Sequence, residues 1–254
     1  MHADNIDDVV RLVGDVVDQA RAAGHRRGYF AAIYFDMTRA VQEGIARGAF
    51  DDGPRMSRLA ATFANRYFDA LDTFAAGGKP SRVWAEAFAC NARRDRLILQ
   101  QLVIGINAHI NLDLGVAAAE TVAPGHIEEL KGDFGRINAV IGGLLDPVQE
   151  AVGRFSPVLD LLWTISDGPD DEVLNFSFTV AREEAWQNAV VLSGQAPEQR
   201  AATIQSIDRA AALLARQVIE PGGILGMTVS LVGHIENDDP PAVIDALASI
   251  VLPV

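Results

Sequence analysis

The sequence predicts an all-α fold, a single-domain bundle of many helices with one apolar helix buried at its centre. Apolar residues recur every three or four positions over most of the 254 residues, which is the period of an α-helix. The alternation of apolar and polar residues that marks a strand is nearly absent. The breaks between helical stretches fall at clusters of Gly, Pro and Asp, which terminate helices.

The elements follow from these breaks in chain order. We predict helices over residues 5–23, 28–47, 54–75, 81–91, 94–121, 125–151, 157–167, 171–193, 197–218, 223–235 and 240–251. Asp52-Gly53-Pro54 places a proline at the first position of the third helix, where its missing N–H is not needed. The Pro124-Gly125 turn predicts a hairpin that brings helices 94–121 and 125–151 side by side.

Composition restricts the domain organisation and the partners. With 49% hydrophobic and 22% charged residues, residues 1–254 are expected to form one globular domain. A net charge of -13 argues against nucleic acid and anionic membranes as partners. No window offers the roughly 18 uninterrupted apolar residues of a bilayer span. The acidic start, Met1 to Asp8, and the single cysteine, Cys90, favour a cytoplasmic location without an export signal.

The stretch from Leu99 to Gly115 is apolar nearly all round, as in a helix at the centre of a bundle. Asn107, His109, Asn111 and Asp113 are set into it at alternate positions. A spacing of four places His109 over Asp113 and Asn107 over Asn111, on two different faces. Because a buried carboxylate without partners loses several kcal/mol of solvation, these groups must be satisfied by something.

Two explanations fit this spacing. In the functional one, His109 and Asp113 bind one divalent metal ion, which makes its bound water nucleophilic. In the structural one, Asp113 accepts a hydrogen bond from His109 or from an arginine such as Arg39, Arg136 or Arg182, and the asparagines bridge helices. A single His-x-x-x-Asp spacing agrees with both.

Three aspartates are candidates for a general base or a further metal ligand. Asp36 and Asp69 each follow two aromatic residues on a helical face, and Asp133 lies on the helix after the Pro124-Gly125 turn. The alternative for each is an ion pair on the helix surface, with Arg39 for Asp36 and Arg66 for Asp69.

Three asparagines complete the predicted site. Asn107, Asn111 and Asn138 would orient the substrate or a bound water molecule.

The segment Asn107–Leu114, which reads Asn-Ala-His-Ile-Asn-Leu-Asp-Leu, resembles the signature of a bacterial family of uncharacterised all-helical proteins, a domain of unknown function. Further blocks that resemble this family are Tyr34–Val41, Gly44–Asp51, Phe63–Ala70, Asp133–Asn138 and Ala181–Trp186. The resemblance implies a helical fold over most of the chain and supports the central segment as a site. It implies no activity.

These residues predict a metal-dependent enzyme that acts on a small molecule, with hydrolysis as the expected reaction. One alternative is a non-enzymatic protein that binds a small ligand or serves as a scaffold. Another is a metal-free lyase or cyclase in which His109 is the base and Asp113 orients it. The apolar stretch Gly223–Val232 could form the face of a homodimer, but its composition favours a core position.

Overall fold

The computed structural model describes residues 1–142, 145–156, 178–233 and 235–250. These residues are helical, with no strand among them, and the all-α prediction is confirmed. The elements are α1 Ile6–Ala23, α2 Gly28–Ala46, α3 Gly53–Ala75, α4 Arg82–Asn91, α5 Ile98–Asn107, a π-helix Ala108–Leu114, α6 Gly115–Thr121, a 3₁₀-helix Ile127–Leu130, α7 Lys131–Gly142, α8 Leu145–Gly153, α9 Phe178–Ser193, α10 Pro197–Ile219, α11 Gly223–Gly233 and α12 Pro240–Leu247.

The predicted central helix is present and runs without a break from Ile98 to Thr121 through α5, the π-helix and α6. Its length and composition alone would allow it to cross a bilayer, but 94% of its apolar window is buried inside the protein. Helices α2, α3, α4, α9 and α10 pack around it. The central helix is therefore apolar on nearly every side because it meets protein on nearly every side.

Two glycines allow neighbouring helices to approach the central helix closely. A Cβ at Gly105 would lie 2.8 Å from the Cβ of Phe30 on α2, and a Cβ at Gly115 would lie 2.7 Å from the carbonyl oxygen of Ala185 on α9. Any side chain at either position would push the neighbouring helix away. The close approach at Gly105 brings the aromatic residues of α2 against the central helix.

Helix caps fix the positions of the surrounding helices. The Asp52 carboxylate accepts a hydrogen bond from the Arg55 backbone N–H at 2.8 Å and caps α3, whose first turn holds the predicted proline. Asp208 of α10 accepts from the backbone N–H groups of Arg82 and Val83 at 2.9 and 3.0 Å. Because a carboxylate at a helix N-terminus is stabilised by unpaired N–H groups, Asp208 ties α10 to the start of α4.

Several predicted boundaries differ from the structure. The helix predicted from residue 94 begins at Ile98, because the backbone of Leu97 is extended and its N–H donates to the Gln100 side chain at 3.0 Å, which caps the helix. The segment predicted as one helix over 125–151 begins with the 3₁₀-helix Ile127–Leu130, and residues 143–144, between α7 and α8, lie outside the described residues.

The predicted hairpin is not confirmed: among the described residues α7 contacts α2 and the 3₁₀-helix, and α6 contacts the following segment mainly through the 3₁₀-helix. The predicted helix 157–167 and residues 171–177 of the next one lie outside the described residues.

Candidate functional site

The predicted polar residues lie on the π-helix. His109, Asn111 and Asp113 all fall within Ala108–Leu114, and Asn107 directly precedes it. A π-helix is rare, usually spans a single turn, and is frequent at functional sites. Seven consecutive residues in this conformation therefore mark the segment as unusual.

His109 and Asp113 form a buried pair. The Nδ1 of His109 lies 3.3 Å from Oδ2 of Asp113, and the two residues are 3% and 1% exposed. Asp113 also accepts hydrogen bonds from Nε1 of Trp84 at 2.8 Å and from Nε of Arg66 at 3.1 Å. The Asp113 carboxylate accepts hydrogen bonds from its neighbours, so the His109 nitrogen that faces it, Nδ1, carries the proton. In the neutral ring Nε2 is then a hydrogen-bond acceptor.

The electrostatic environment keeps the His109 ring neutral. Burial lowers the pKa of His109 below its ordinary value, and the opposing attraction of Asp113 does not restore it. The Nε2 atom is buried and has no hydrogen-bond partner in the described part of the chain. Such an unsatisfied acceptor is costly in a protein interior and is a feature of sites where a ligand or reacting group binds.

Five aromatic rings surround the imidazole. The ring of Phe63 stacks on it with centroids 3.6 Å apart, and Tyr34 meets it edge-on at 4.5 Å. The rings of Phe30, Tyr67 and Trp84 lie within 6.1 Å. These residues come from α2, α3 and α4, so three helices exclude water from His109.

A small cavity of about 50 Å³ lies against Tyr34 and Phe63, the two rings nearest His109. Its walls are mostly apolar side chains, including Met37 and Leu59, and Arg182 is its one charged lining residue within the described chain. The Arg182 guanidinium donates to the Phe134 carbonyl at 2.7 Å.

The asparagines occupy the other face of the central helix, as the spacing of four predicts. Nδ2 of Asn107 donates to the Ala211 carbonyl of α10 at 2.9 Å, and Nδ2 of Asn111 donates to Oδ1 of Asn107 at 2.7 Å. Oδ1 of Asn111 is buried and without a partner among the described residues. Asn111 lines a groove of about 830 Å³ between α9 and α10.

Asp133 lies in a structural network. Its carboxylate accepts from the backbone N–H groups of Asp51 and Asp52 at 2.7 and 3.1 Å, from Nη2 of Arg55 at 3.0 Å, and from Arg136. Burial would raise its pKa, but these donors outweigh burial and the pKa is lowered. Asp133 thus anchors the loop between α2 and α3.

The structure places the other two predicted aspartates in different environments. Asp36 is buried, and burial raises its pKa to about 7. Its suggested partner, Arg39, instead lies 3.9 Å from Glu43. Asp69 is exposed, and Arg66, the partner suggested for it, bonds to Asp113.

The side chain of Asn138 falls outside the described residues. The structure thus brings together His109 with Asp113 and Asn107 with Asn111, and adds none of the three predicted aspartates to either pair.

The described residues do not fit a metal site at His109. No group of three or more His, Cys, Asp or Glu side chains within the described ranges could hold a metal ion. The Nδ1 atom faces Asp113 directly, and Arg66 already supplies a positive charge to that carboxylate.

Arg66 and Trp84 are the residues of the candidate site that the sequence did not predict. Phe63, Arg66 and Tyr67 are spaced by three and four positions and therefore share one face of α3. An arginine on an otherwise aromatic face signals a buried anion opposite it. Trp84 carries no comparable signal, because an indole in an apolar helix is also typical of a core.

The model of a family of unknown function (DUF5995) matches residues 6–221. No curated protein and no solved structure matches the chain. The matched range includes the π-helix and every residue of the His109 site. Because the match covers most of the chain, the chain belongs to this family of unknown function, DUF5995.

Proposed function

We propose that this protein is an enzyme that acts on a small, largely apolar molecule without a metal ion, with His109 as general base and Asp113 as the residue that orients it. One observation carries the proposal. The buried Nε2 of His109 lacks a hydrogen-bond partner within the described chain, while Nδ1 faces a carboxylate. A neutral imidazole oriented through Nδ1 can take up a proton at Nε2.

The partners of Asp113 support this role. Arg66 and Trp84 hold the carboxylate in place with two donated hydrogen bonds. Asp113 can then fix the tautomer of His109 and stabilise the imidazolium that forms when Nε2 accepts a proton. The lowered pKa keeps the ring in its basic form at neutral pH.

The substrate class follows from the surroundings of His109. The cavity beside Tyr34 and Phe63 is mostly apolar but has a volume of only about 50 Å³, so it would take a small apolar group of the substrate and not the whole molecule. Phe63 is only partly buried and covers one face of the imidazole. A movement of this ring would connect the cavity with Nε2.

The metal-dependent hydrolase predicted from the sequence needs further ligands that the described residues do not supply around His109. A ligand-binding role without chemistry is the second candidate. It is favoured by the tight packing of five rings around the imidazole, since a donor group of a bound molecule could satisfy Nε2 without proton transfer.

The test is turnover of a mixed metabolite extract by the purified, chelator-treated protein, followed by untargeted mass spectrometry. We expect the wild-type chain to consume at least one compound with time. The His109→Gln variant should do so at least about 100-fold more slowly, since a general base contributes about 10²-fold or more. His126→Gln is the matched control, because His126 is exposed and pairs with Glu129 at the surface.

Three outcomes would contradict the proposal. Equal turnover by His109→Gln would exclude His109 as the base. Turnover that is lost on chelation and restored by a divalent ion would favour the metal-dependent enzyme. Binding of a metabolite without any consumption would favour the second candidate.

A further inference from the structure

Three donors share the Asp113 carboxylate, and His109 is the most distant of them. Nε1 of Trp84 donates to Oδ2 at 2.8 Å, and Nε of Arg66 donates to Oδ1 at 3.1 Å. Nδ1 of His109 lies 3.3 Å from Oδ2, beyond the usual range of about 2.7 to 3.2 Å for an N–H···O hydrogen bond. The carboxylate is therefore bound more closely by two residues of neighbouring helices than by the histidine that it orients.

Arg66 also balances the charge of Asp113. A carboxylate alone beside an imidazole favours the protonated ring, whereas a carboxylate paired with a guanidinium presents the ring with a neutral pair. The pKa of His109 shows these opposing influences, because burial lowers it most, Asp113 raises it and Arg66 lowers it. The proton affinity of His109 therefore depends on how fully Arg66 neutralises Asp113.

Other ionisable groups on the surrounding helices are neutral or have other partners. The hydroxyls of Tyr34 and Tyr67, whose rings meet the imidazole, stay neutral because burial raises the pKa of both. The buried charges on α9 and α10 are Arg182, which donates to a carbonyl of α7, and Asp208, which accepts from the start of α4. The protonation of His109 is thus governed by the pair on its own side of the central helix.

Arg66 connects this buried pair with the protein surface. Its side chain is 25% exposed, whereas that of Asp113 is 2% exposed. Its Nη1 also lies 4.0 Å from Oε1 of Glu120 on α6, which is exposed. The guanidinium is thus shared between a buried carboxylate and a surface carboxylate, and a change at the surface can alter its hold on Asp113.

We propose that Arg66 is a positioning residue that sets the proton affinity of His109 through Asp113. While Arg66 is paired with Asp113, the ring stays neutral and Nε2 can accept a proton. Loss of that pair leaves a buried carboxylate without a cation, and His109 takes up a proton at Nε2 to pair with it. Only the consequence for turnover rests on the proposed function, since a ring that is already protonated cannot act as a base.

NMR titration of the full chain from about pH 4 to 9 measures the charge on His109 without a substrate. The nitrogen shifts of the ring distinguish imidazolium from the neutral form, and the His109→Gln variant assigns the signals. In Arg66→Gln we expect His109 to bind a proton at least about tenfold more tightly than in the wild-type chain, the lower end of the effect of a neighbouring charge. The matched control is Arg11→Gln on α1, because Arg11 pairs with Asp8 and Asp15 at the surface and its loss should leave the His109 titration unchanged.

Two further variants decide the question if circular dichroism shows that Arg66→Gln does not fold. Arg66→Lys keeps a positive charge but loses the Nε donor, so the proton affinity of His109 should rise by about two- to fivefold. Glu120→Gln, at an exposed position, leaves Arg66 wholly to Asp113 and should lower that affinity by about twofold.

Two results would overturn the proposal. One is a wild-type His109 titration in every Arg66 variant that folds. The other is proton uptake by Asp113, seen in its carboxyl carbon shift, while the ring stays neutral. A His109 titration that moves as expected, with no turnover by any variant, would support the role of Arg66 and contradict the proposed enzymatic function alone. If both hold, Arg66→Gln should regain turnover at high pH, where the ring loses its proton.

Discussion

Asp36 and Asp69 have the same local sequence context and different environments. Each follows two aromatic residues on a helix, but Asp36 is 5% exposed whereas Asp69 is on the surface. Oδ2 of Asp36 has no hydrogen-bond partner within the described ranges. Burial raises the pKa of Asp36 from 3.8 to about 7, against the attraction of Arg39.

The substitution Asp36→Asn should therefore stabilise the protein at high pH. In the folded chain Asp36 holds its proton up to a higher pH than in the unfolded chain, so the fold loses stability as the pH rises from about 4 to 7, and the loss is complete above pH 7. We expect the free energy of unfolding to rise by about 2 to 4 kcal/mol at pH 8. The gain should shrink as the pH falls toward the ordinary pKa of the carboxyl, to about half or less at pH 5.

Urea unfolding followed by circular dichroism at both pH values measures this difference. Asp69→Asn is the matched control, and its free energy of unfolding should change by less than about 0.5 kcal/mol, as for most surface substitutions. A gain for Asp36→Asn that does not depend on pH would contradict this prediction, because it would show that the pKa of Asp36 is the same in the folded and unfolded chains.

The sequence predicts which site residues share a face of the helix. It does not predict which residues of other helices they contact. A spacing of four correctly separates His109 and Asp113 from Asn107 and Asn111. Arg66 and Trp84 reach Asp113 only because α3 and α4 pack beside the π-helix. Contacts between separate helices depend on packing angles, which a local pattern does not contain.

At the scale of the element, the sequence predicts the central helix but not its π-helical segment. The apolar stretch predicts a buried central helix, and the structure confirms it. The residues from Ala108 to Leu114 could form either an α-helix or a π-helix. Which conformation they adopt depends on hydrogen bonds and packing with the surrounding helices.

Gly105 offers a test of how closely α2 packs on this element. A Cβ at Gly105 would lie 2.8 Å from both Cβ and Cγ of Phe30. Gly105→Ala should therefore displace Phe30 and lower the free energy of unfolding by about 1 to 3 kcal/mol. Since Phe30 also lies against the imidazole, the substitution should shift the His109 ring signals in NMR spectra.

The control for this prediction is Gly135→Ala on α7, where a Cβ would meet no atom of the described chain within 4 Å. That variant should be stabilised by about 0.5 to 1 kcal/mol, because alanine favours a helix over glycine. Urea unfolding compares the two variants. Stabilisation of both by the same amount would mean that α2 can move away from the central helix without loss.

At the scale of the whole molecule, the residues after the family match belong to the same core. The match ends at residue 221, yet α12 packs on α2, and Asp238 accepts hydrogen bonds from Arg26 and Tyr29. Glu236 accepts from the Ile98 backbone N–H at 2.8 Å. The C-terminal segment therefore holds the starts of α2 and of the central helix.

Two isoleucines of this segment show whether it contributes to global stability. Ile244 is fully buried and its side chain lies against Gly28, whereas Ile235 is 52% exposed. Ile244→Ala should lower the free energy of unfolding by about 2 to 5 kcal/mol, the range for a buried isoleucine. Ile235→Ala should lower it by less than about 1 kcal/mol. Both should unfold in one transition in urea, monitored by circular dichroism and tryptophan fluorescence. A separate early transition in Ile244→Ala, with the main midpoint unchanged, would show that residues 222–250 fold independently of the family core.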